Sequence, residues 1–404
     1  MESGMLIQKS PPFVTLLLLI SFGAVSAVLF TPALPEIKHY FGISQTLAEL
    51  TVSLFLAGYA IGQLPYGAIS NRFGRKPALF FAITLTMMGT IFCISSANFS
   101  CFPLLIVGRF LMALGSSAGL TLSFSIITDC YNEERSRQIT SYLMLAFAIM
   151  PGLSITLGGF LVTHFPWQAC FYCILCYCAI LFILIMVAPE TCSQKDLASL
   201  DLRSLTSQYL KAFKNSFLVI CALIAGCTTT FIYIFTTKAP FITIKFLHMS
   251  PSKYGMLNLI PSVGMVLGSI ISARLAKQQD IYLTIKQGIV IISCGVIAML
   301  AGFYLFRLSG WILILPMPVI YFGLVYVYSN IVILGLSQVV NKAVSSSILS
   351  FINIGISFVS LSCLKLIPIN LPIILPLSFL ILLMAIIILY IVNGSRIYGK
   401  EAAC

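Results

Sequence analysis

Gly67-Ala68-Ile69-Ser70-Asn71-Arg72-Phe73-Gly74-Arg75-Lys76-Pro77-Ala78-Leu79 is the stretch from which the fold can be read. Arg72, Arg75 and Lys76 lie between two apolar runs, 47–67 and 78–97, each about the 20 residues a membrane-crossing helix needs. A loop this short can join two spans only by turning tightly. Gly67 and Gly74 allow that turn and a close approach of the helices, while the cations hold the loop at the cytoplasmic face.

The same reading extends outward. Of 404 residues, 59% are hydrophobic and 8% charged, which excludes a soluble globular protein, where roughly a quarter of residues are charged. Apolar runs between turn and charge signals place spans at 13–34, 47–67, 78–97, 103–127, 141–163, 168–188, 215–237, 254–273, 287–306, 311–336, 344–367 and 372–393. The expectation is an all-α membrane protein of twelve transmembrane helices, with no room for a soluble catalytic domain. Lys9, Ala24 and Ser26 give the first run a signal-peptide look, but the polytopic remainder argues for an uncleaved first span. The polar run 189–214 divides the chain into six-helix halves, 1–188 and 215–404, joined by a linker. At an offset of 202, Gly62 matches Gly264, Ser70 matches Ser272, Arg72 matches Arg274 and Arg75 matches Lys277, so the halves read as a weak internal repeat.

Lys and Arg set the orientation. With a cytoplasmic N-terminus, sixteen of the 23 face inward, six outward and Arg109 is embedded, so both termini and the linker are expected to be cytoplasmic. The net charge of +12 is then topology and not a nucleic-acid footprint. No G-x-x-x-x-G-K-[ST] loop is present, so the chain has no nucleotide motor of its own.

The loop resembles the signature of the major facilitator superfamily, G-x-x-x-D-R-x-G-R-K/R, through Gly67, Arg72, Gly74, Arg75 and Lys76, with Asn71 in place of the Asp. In the family that Asp faces a helix start in the other half and helps latch the cytoplasmic side. Asn lacks the charge that a helix N-terminus favours. Phe55 to Gln63, Thr31-Pro32-Ala33-Leu34-Pro35, Arg109-Phe110 with Gly115, and Pro166-Trp167 with Phe171 are similar to the twelve-span drug:proton antiporters, especially the Bcr/CflA-like branch. Pro151 with Gly158 and Gly159 resembles the antiporter motif of the fifth helix. The resemblance implies two pseudo-symmetric halves, a bacterial inner membrane, a small-molecule substrate, protons as a candidate second substrate, a monomer and no cofactor.

Arg109, about a turn and a half inside an apolar helix, is costly there unless it faces a cavity or a partner. It marks the transport path, with snorkelling to the outer interface as the alternative. Of eleven carboxylates only Glu49 falls inside a span as drawn, in the first turn of the second helix. Val28-Leu29-Phe30 stands where the branch carries an Asp, so Glu49 is the coupling candidate, with Asp129 at the inner end of helix four as a second. Thr230, Tyr233 and Thr237 share a face of the seventh span, Lys238 follows, and Tyr321, Val325 and Tyr328 repeat the spacing on the tenth near Asn330. The resemblance puts helices one, four, seven and ten around a central cavity, making Arg109, Thr230, Tyr233, Thr237, Lys238, Tyr328 and Asn330 candidate substrate contacts. Threonines bonding back to their own helix and interfacial tyrosines are the alternatives. Cys170, Cys173 and Cys176 lack His or acid company, so no metal is expected, and His39, His164 and His248 map to outer loops.

These residues point to a secondary transporter working by alternating access, in the export direction, and not to an enzyme. Arg109 and Lys238 with hydroxyl donors suit an acidic or zwitterionic metabolite such as a siderophore. Proton-coupled efflux of lipophilic cations, uptake of a metabolite and a non-transporting receptor of transporter fold are the alternatives.

Overall fold

The structure, a computed structural model, describes residues 10–192, 202–275, 278–305, 310–337, 339, 342–364 and 372–401. Lys9, Lys195, Asp196, Asp201, Lys277, Arg307 and Lys365, and the 193–201 part of the expected linker, lie outside the described residues.

The first span is α1 (Phe13–Val28), continued after a 3-10 turn at Thr31–Ala33 by α2 (Leu34–Tyr40). The second is α3 (Gln45–Gln63) and α4 (Pro65–Phe73), bent by 44° at their junction. α5 (Arg75–Asn98) is the third, α6 (Phe102–Ser116) with α7 (Ala118–Cys130) the fourth, α8 (Glu133–His164) the fifth and α9 (Ala169–Val187) the sixth. α10 (Leu202–Lys214) is an amphipathic helix of the linker region. α11 (Ser216–Pro240), with a π-helical end at Phe241–Phe246, is the seventh span, and α12 (Pro251–Leu257) with α13 (Leu259–Leu275) the eighth. α14 (Ile281–Leu305), α15 (Gly310–Ile314) with α16 (Met317–Ser337), α17 (Lys342–Leu364) and α18 (Ile374–Glu401) complete the twelve. Among the described residues ten spans are long and apolar enough to cross a membrane and the bent pair makes an eleventh; the fifth is apolar over Ala148–His164.

Several spans run longer than their apolar stretches because caps, not hydropathy, set their ends. Asn132 accepts from the Arg135 amide at 3.0 Å and starts α8 at Glu133 instead of 141. Ser250 starts α12, and Asp280 accepts from the Tyr282 amide at 3.0 Å to start α14. Pro32 and Pro35 sit in the first turns of new helical segments, so they break and restart the first span, which carries on to Tyr40.

Within the first half α5 packs on α6 and α9, and α3 on α6; in the second half α14 and α13 pack on α16, and α11 on α17 and α18. The repeat is visible in this packing. A Cβ at Gly62 would overlap Ser117 and the Leu114 backbone of the fourth span, and one at Gly264 would overlap the Pro318 backbone of the tenth. Ser70 and Ser272 are both buried. Outward-facing Ile183, Ile297, Ile381 and Ile391 belong to an apolar exterior suited to lipid.

The halves meet where α3 packs on α17, α8 on α12 and α13, and the first-span turn on α11 and α12. We refer to the end carrying residues 71–77 as the loop end and to the opposite end as the far end. Bonds across the seam gather towards the far end. Thr156 Oγ1 donates to Gly255 O at 2.8 Å, and the Ser252 amide donates to Thr163 Oγ1 at 2.9 Å. Of the small residues expected to matter in α8, Gly159 closes this seam against Pro251 and Gly255 of the eighth span, while Gly158 lies against the Leu29 backbone of the first span within its own half. Pro151 and Gly152 border a narrow crevice that also touches Thr236, Asn258, Ser262 and Tyr321.

Candidate functional site

The break in the first span explains Arg109. α1 ends at Val28 and a new segment starts at Thr31, so the Ser26 and Ala27 carbonyls near its C-terminus are open to side-chain donors. Arg109 Nη1 donates to Ser26 O at 2.7 Å, Nη2 to Ala27 O at 3.2 Å and Nε to Thr51 O of α3 at 3.4 Å. A cation at a helix C-terminus is also favoured by the helix dipole. The guanidinium carbon lies 4.0 Å from the Phe30 ring centroid and 4.3 Å from that of Phe55, and the side chain has no solvent exposure. The sequence leads one to expect a cation facing a cavity. Here the partners are carbonyls and aromatic faces of its own half, so Arg109 ties the fourth span to the first and second.

Lys238 has a resident partner. Its Nζ lies 2.8 Å from Glu49 Oε2, while Glu49 Oε1 accepts from Gln45 Nε2 at 2.9 Å. Both side chains are buried, Glu49 at 2% exposure and Lys238 at 9%. The pair joins α3 of the first half to α11 of the second near the far end. Ser44 caps α3 by accepting from the Leu47 amide, which starts the helix at Gln45 and puts Glu49 about half a turn deeper than hydropathy suggested. The longer first and fourth spans also bring in Glu36 and Asp129, so Glu49 is not alone among span carboxylates. Glu36 accepts from the Trp167 amide at 3.2 Å.

The polar stripes divide. Thr230 Oγ1 donates to Gly226 O at 2.6 Å and meets Ser357 Oγ at 3.0 Å; Thr237 donates to Tyr233 O at 2.6 Å. Both are buried in helix packing. Asn330 Nδ2 donates to Tyr326 O at 2.8 Å and to Ser272 Oγ at 3.2 Å, which holds the tenth span on the eighth. Tyr233 and Tyr328 are only half-buried, and with Tyr59 of α3 they lie close enough to interact electrostatically; Arg109 reaches Tyr233 in the same way. Asn353 Nδ2 donates to the Tyr328 hydroxyl at 3.4 Å, and Asn353 Oδ1 is buried without a partner. Tyr328 and Asn353 thus meet within the second half, with Tyr233 and, from the first half, Tyr59 within electrostatic range of them. Tyr59 and Asn353 are not singled out by the sequence reading, although Ser346, Ser350, Ser357 and Ser360 share the helical face of Asn353 and Gln63 follows Tyr59 at i+4.

At the loop end the described contacts of Arg75, Asp129 and Lys76 are made to the first half and the residues just after it. Arg75 Nε pairs with Asp129 Oδ2 at 2.9 Å, and its Nη1 donates to Ser70 Oγ at 2.7 Å and to Asn71 Oδ1 at 2.6 Å. Asn71 is exposed and turned into its own loop; the latch across the halves that the resemblance implies is not made in this state. Arg72 lies over the Phe73 ring at 5.6 Å. Glu190, read from sequence only as part of the linker, accepts the Arg75 and Lys76 amides at 2.9 and 3.1 Å and so caps α5. Lys76 Nζ in return donates to Met186 O at 2.7 Å and Ala188 O at 3.1 Å at the end of α9. Gly74 has φ +110°, and a Cβ there would run into the Glu190 carboxylate, so both backbone and space demand glycine. Gly67, also expected to be needed by the turn, sits on α4 with open space around it.

The chain is 26% identical over 313 residues to an uncharacterized transporter of Rickettsia felis, covering 76% of this chain and 74% of that one. It is 27% identical over 245 residues to multidrug resistance protein MdtL of Salmonella paratyphi A, covering 59% and 60%, and 25% identical over 177 residues to multidrug resistance protein D of Escherichia coli, covering 44% of each. Among solved structures, the D-xylose-proton symporter shares the fold with a TM-score of 0.75 at 16% identity, over 94% of this chain and 95% of that one. The xylose transporter XylE of E. coli, in a partially occluded inward open conformation, gives 0.71 at 15%, over 94% and 96%. The family model for the Major Facilitator Superfamily matches residues 14–362, and the chain, an integral multi-pass membrane protein, belongs to that transporter superfamily.

Proposed function

We propose that the protein exports a small amphipathic organic molecule by alternating access, its 1–188 and 215–404 halves rocking about the central site. The observation that carries this reading is the meeting of Tyr59, Tyr233, Tyr328 and Asn353 from both halves beneath a bonded far end. The printed names of the multidrug resistance relatives support the export direction and drug-like cargo. We place both termini and the linker in the cytoplasm of a bacterial cell, on the inner membrane, from the sixteen inward cations. A monomer contains the whole path. A proton-coupled cycle would run through Glu49, the buried carboxylate at the seam.

An acidic or zwitterionic cargo, such as a siderophore, is a second reading. It is favoured by the absence of any described carboxylate beside the tyrosine cluster, and it requires Lys238 to leave Glu49 and pair with the cargo. Flux of matched organic anions and cations tests both readings. It would be measured in vesicles whose sidedness is fixed by an impermeant label on a cysteine at Ser199. Anion flux that falls at least about tenfold in Lys238→Gln would support the acidic cargo; cation flux surviving that substitution would support ordinary drug efflux. No flux of any panel compound, with protein shown folded, would count against the export reading.

A further inference from the structure

The linker helix α10 carries more apolar face than the bundle covers. From Leu202 to Lys214 it holds three cations, Arg203, Lys211 and Lys214, and no acid. At about 100° per residue Leu205, Tyr209 and Ala212 fall together, Phe213 and then Leu210 follow at one edge, and Lys214 and Lys211 come next. Tyr209 and Ala212 pack on Leu218 and Ala222 of α11 with Ile348 and Leu349 of α17. Leu210 stays 55% exposed and Phe213 40%, although the Phe213 ring meets that of Phe351 at 6.1 Å. Lys211 and Lys214 are exposed, and among the described residues no acid pairs with either.

The depth and the side of α10 both put this uncovered edge at the bilayer. Asn215 is the single residue between α10 and α11, and its side chain caps the seventh span by accepting from the Phe217 and Leu218 amides at 3.1 and 3.2 Å. The Tyr209 hydroxyl donates to Leu64 O at 2.9 Å, and Leu64 lies beyond the nine residues of α4, roughly 13 Å inside the second span from its loop end. α10 is thus held at the level where the spans enter the membrane. On α17, Ile348, Ile352, Gly355, Val359 and Cys363 form one stripe at helical spacing. Val359 and Cys363, towards the bonded far end, are exposed, and Gly355 has open space around it, so the stripe faces outward to lipid. α10 covers the loop-end part of that stripe, where Ile348 is wholly buried and Ile352 partly.

We infer that α10 is a docking surface for anionic phospholipid in the loop-end leaflet. Leu210 and Phe213 enter the boundary between headgroups and acyl chains, and Lys211 and Lys214 hold the phosphates. An apolar edge bordered by cations suits that boundary because hydrocarbon and phosphate lie next to one another there. A zwitterionic headgroup brings its own cation to its phosphate, so two unpaired lysines favour the lipid with net negative charge. The inference goes beyond the export reading and needs the membrane fold alone, so a flux result of either sign leaves it intact.

Photo-cross-linking from position 210 tests this in the full chain, in nanodiscs of equal phosphatidylcholine and phosphatidylglycerol. A diazirine-bearing phenylalanine analogue keeps the position apolar, and mass spectrometry of the adducts gives the ratio of phosphatidylglycerol to phosphatidylcholine. That ratio should be about 10- to 30-fold above the one from the same analogue at Ile381, a lipid-facing position of the twelfth span. Lys211→Gln/Lys214→Gln should bring it to within about threefold of the Ile381 value, whereas Lys211→Arg/Lys214→Arg should keep it, because the charge is retained. An equal ratio at both positions, or a preference that survives the double glutamine variant, would overturn the site. Adducts confined to protein, within the chain or to a second copy, would overturn it as well, by giving the exposed edge a protein partner.

Discussion

The two ends of the bundle use similar ion pairs for different work. At the far end the 2.8 Å pair joins Glu49 of one half to Lys238 of the other. At the loop end the 2.9 Å pair joins Arg75 to Asp129 inside a single half, and Glu190 and Lys76 lace α5 to the end of α9 in the same half. In the proposed rocking cycle a pair within a half would move as a unit, whereas a pair across the seam would have to be remade. Among the described residues the far end is bonded across the seam by Lys238 to Glu49, Thr156 to Gly255 and Ser252 to Thr163, while Asn71 at the loop end has a partner in its own loop.

This contrast can be broken by substitutions that act on one kind of contact alone. The largest effect should come from Arg109→Ala. It removes a buried cation, three hydrogen bonds and two ring contacts, all within the first half. We expect a loss of about 3–5 kcal/mol of stability in thermal or denaturant melts, with far-end distances between labels on the two halves unchanged in the folded fraction. A shift in those distances with little loss of stability would mean that Arg109 belongs to the seam. The smallest effect should come from Asn71→Asp. The added charge suits a helix N-terminus in the other half, available only when the loop end closes. It should move the population towards that state by about 0.3–1 kcal/mol, read as loop-end distances between labels on the two halves. No change, or a shift the other way, would remove position 71 from the latch.

Much of the fold was legible because its signals are local. Apolar runs of membrane length and the Gly74 turn lie next to the elements they define; the caps Ser44, Asn132 and Asp280 are equally local, but a reading by hydropathy passes them by and starts three helices late. The site was less legible because its partners are distant in sequence. Glu49 and Lys238 stand 189 positions apart, so sequence reading treats one as a helix-end acid and the other as a free cation. Arg109 is satisfied by carbonyls that exist only because Pro32 breaks the first span, and carbonyl availability leaves no trace in residue type. Thr230 and Thr237 share the helical face that spacing gives them, but spacing does not say whether a neighbouring helix covers it. Glu190 looked like linker polarity because capping at Arg75 is a contact over 115 positions.

The most direct test of alternating access through this seam is to fasten it. The Ser252 amide and Thr163 Oγ1 are 2.9 Å apart, so cysteines at both positions fall within bridging reach. With the Thr163→Cys/Ser252→Cys protein in vesicles, the bridge verified by peptide mass spectrometry, flux of whichever panel compound the wild type carries is measured before and after reduction. The account predicts flux abolished while the bridge is intact and restored when it is reduced. Undiminished flux through the bridged protein would contradict it.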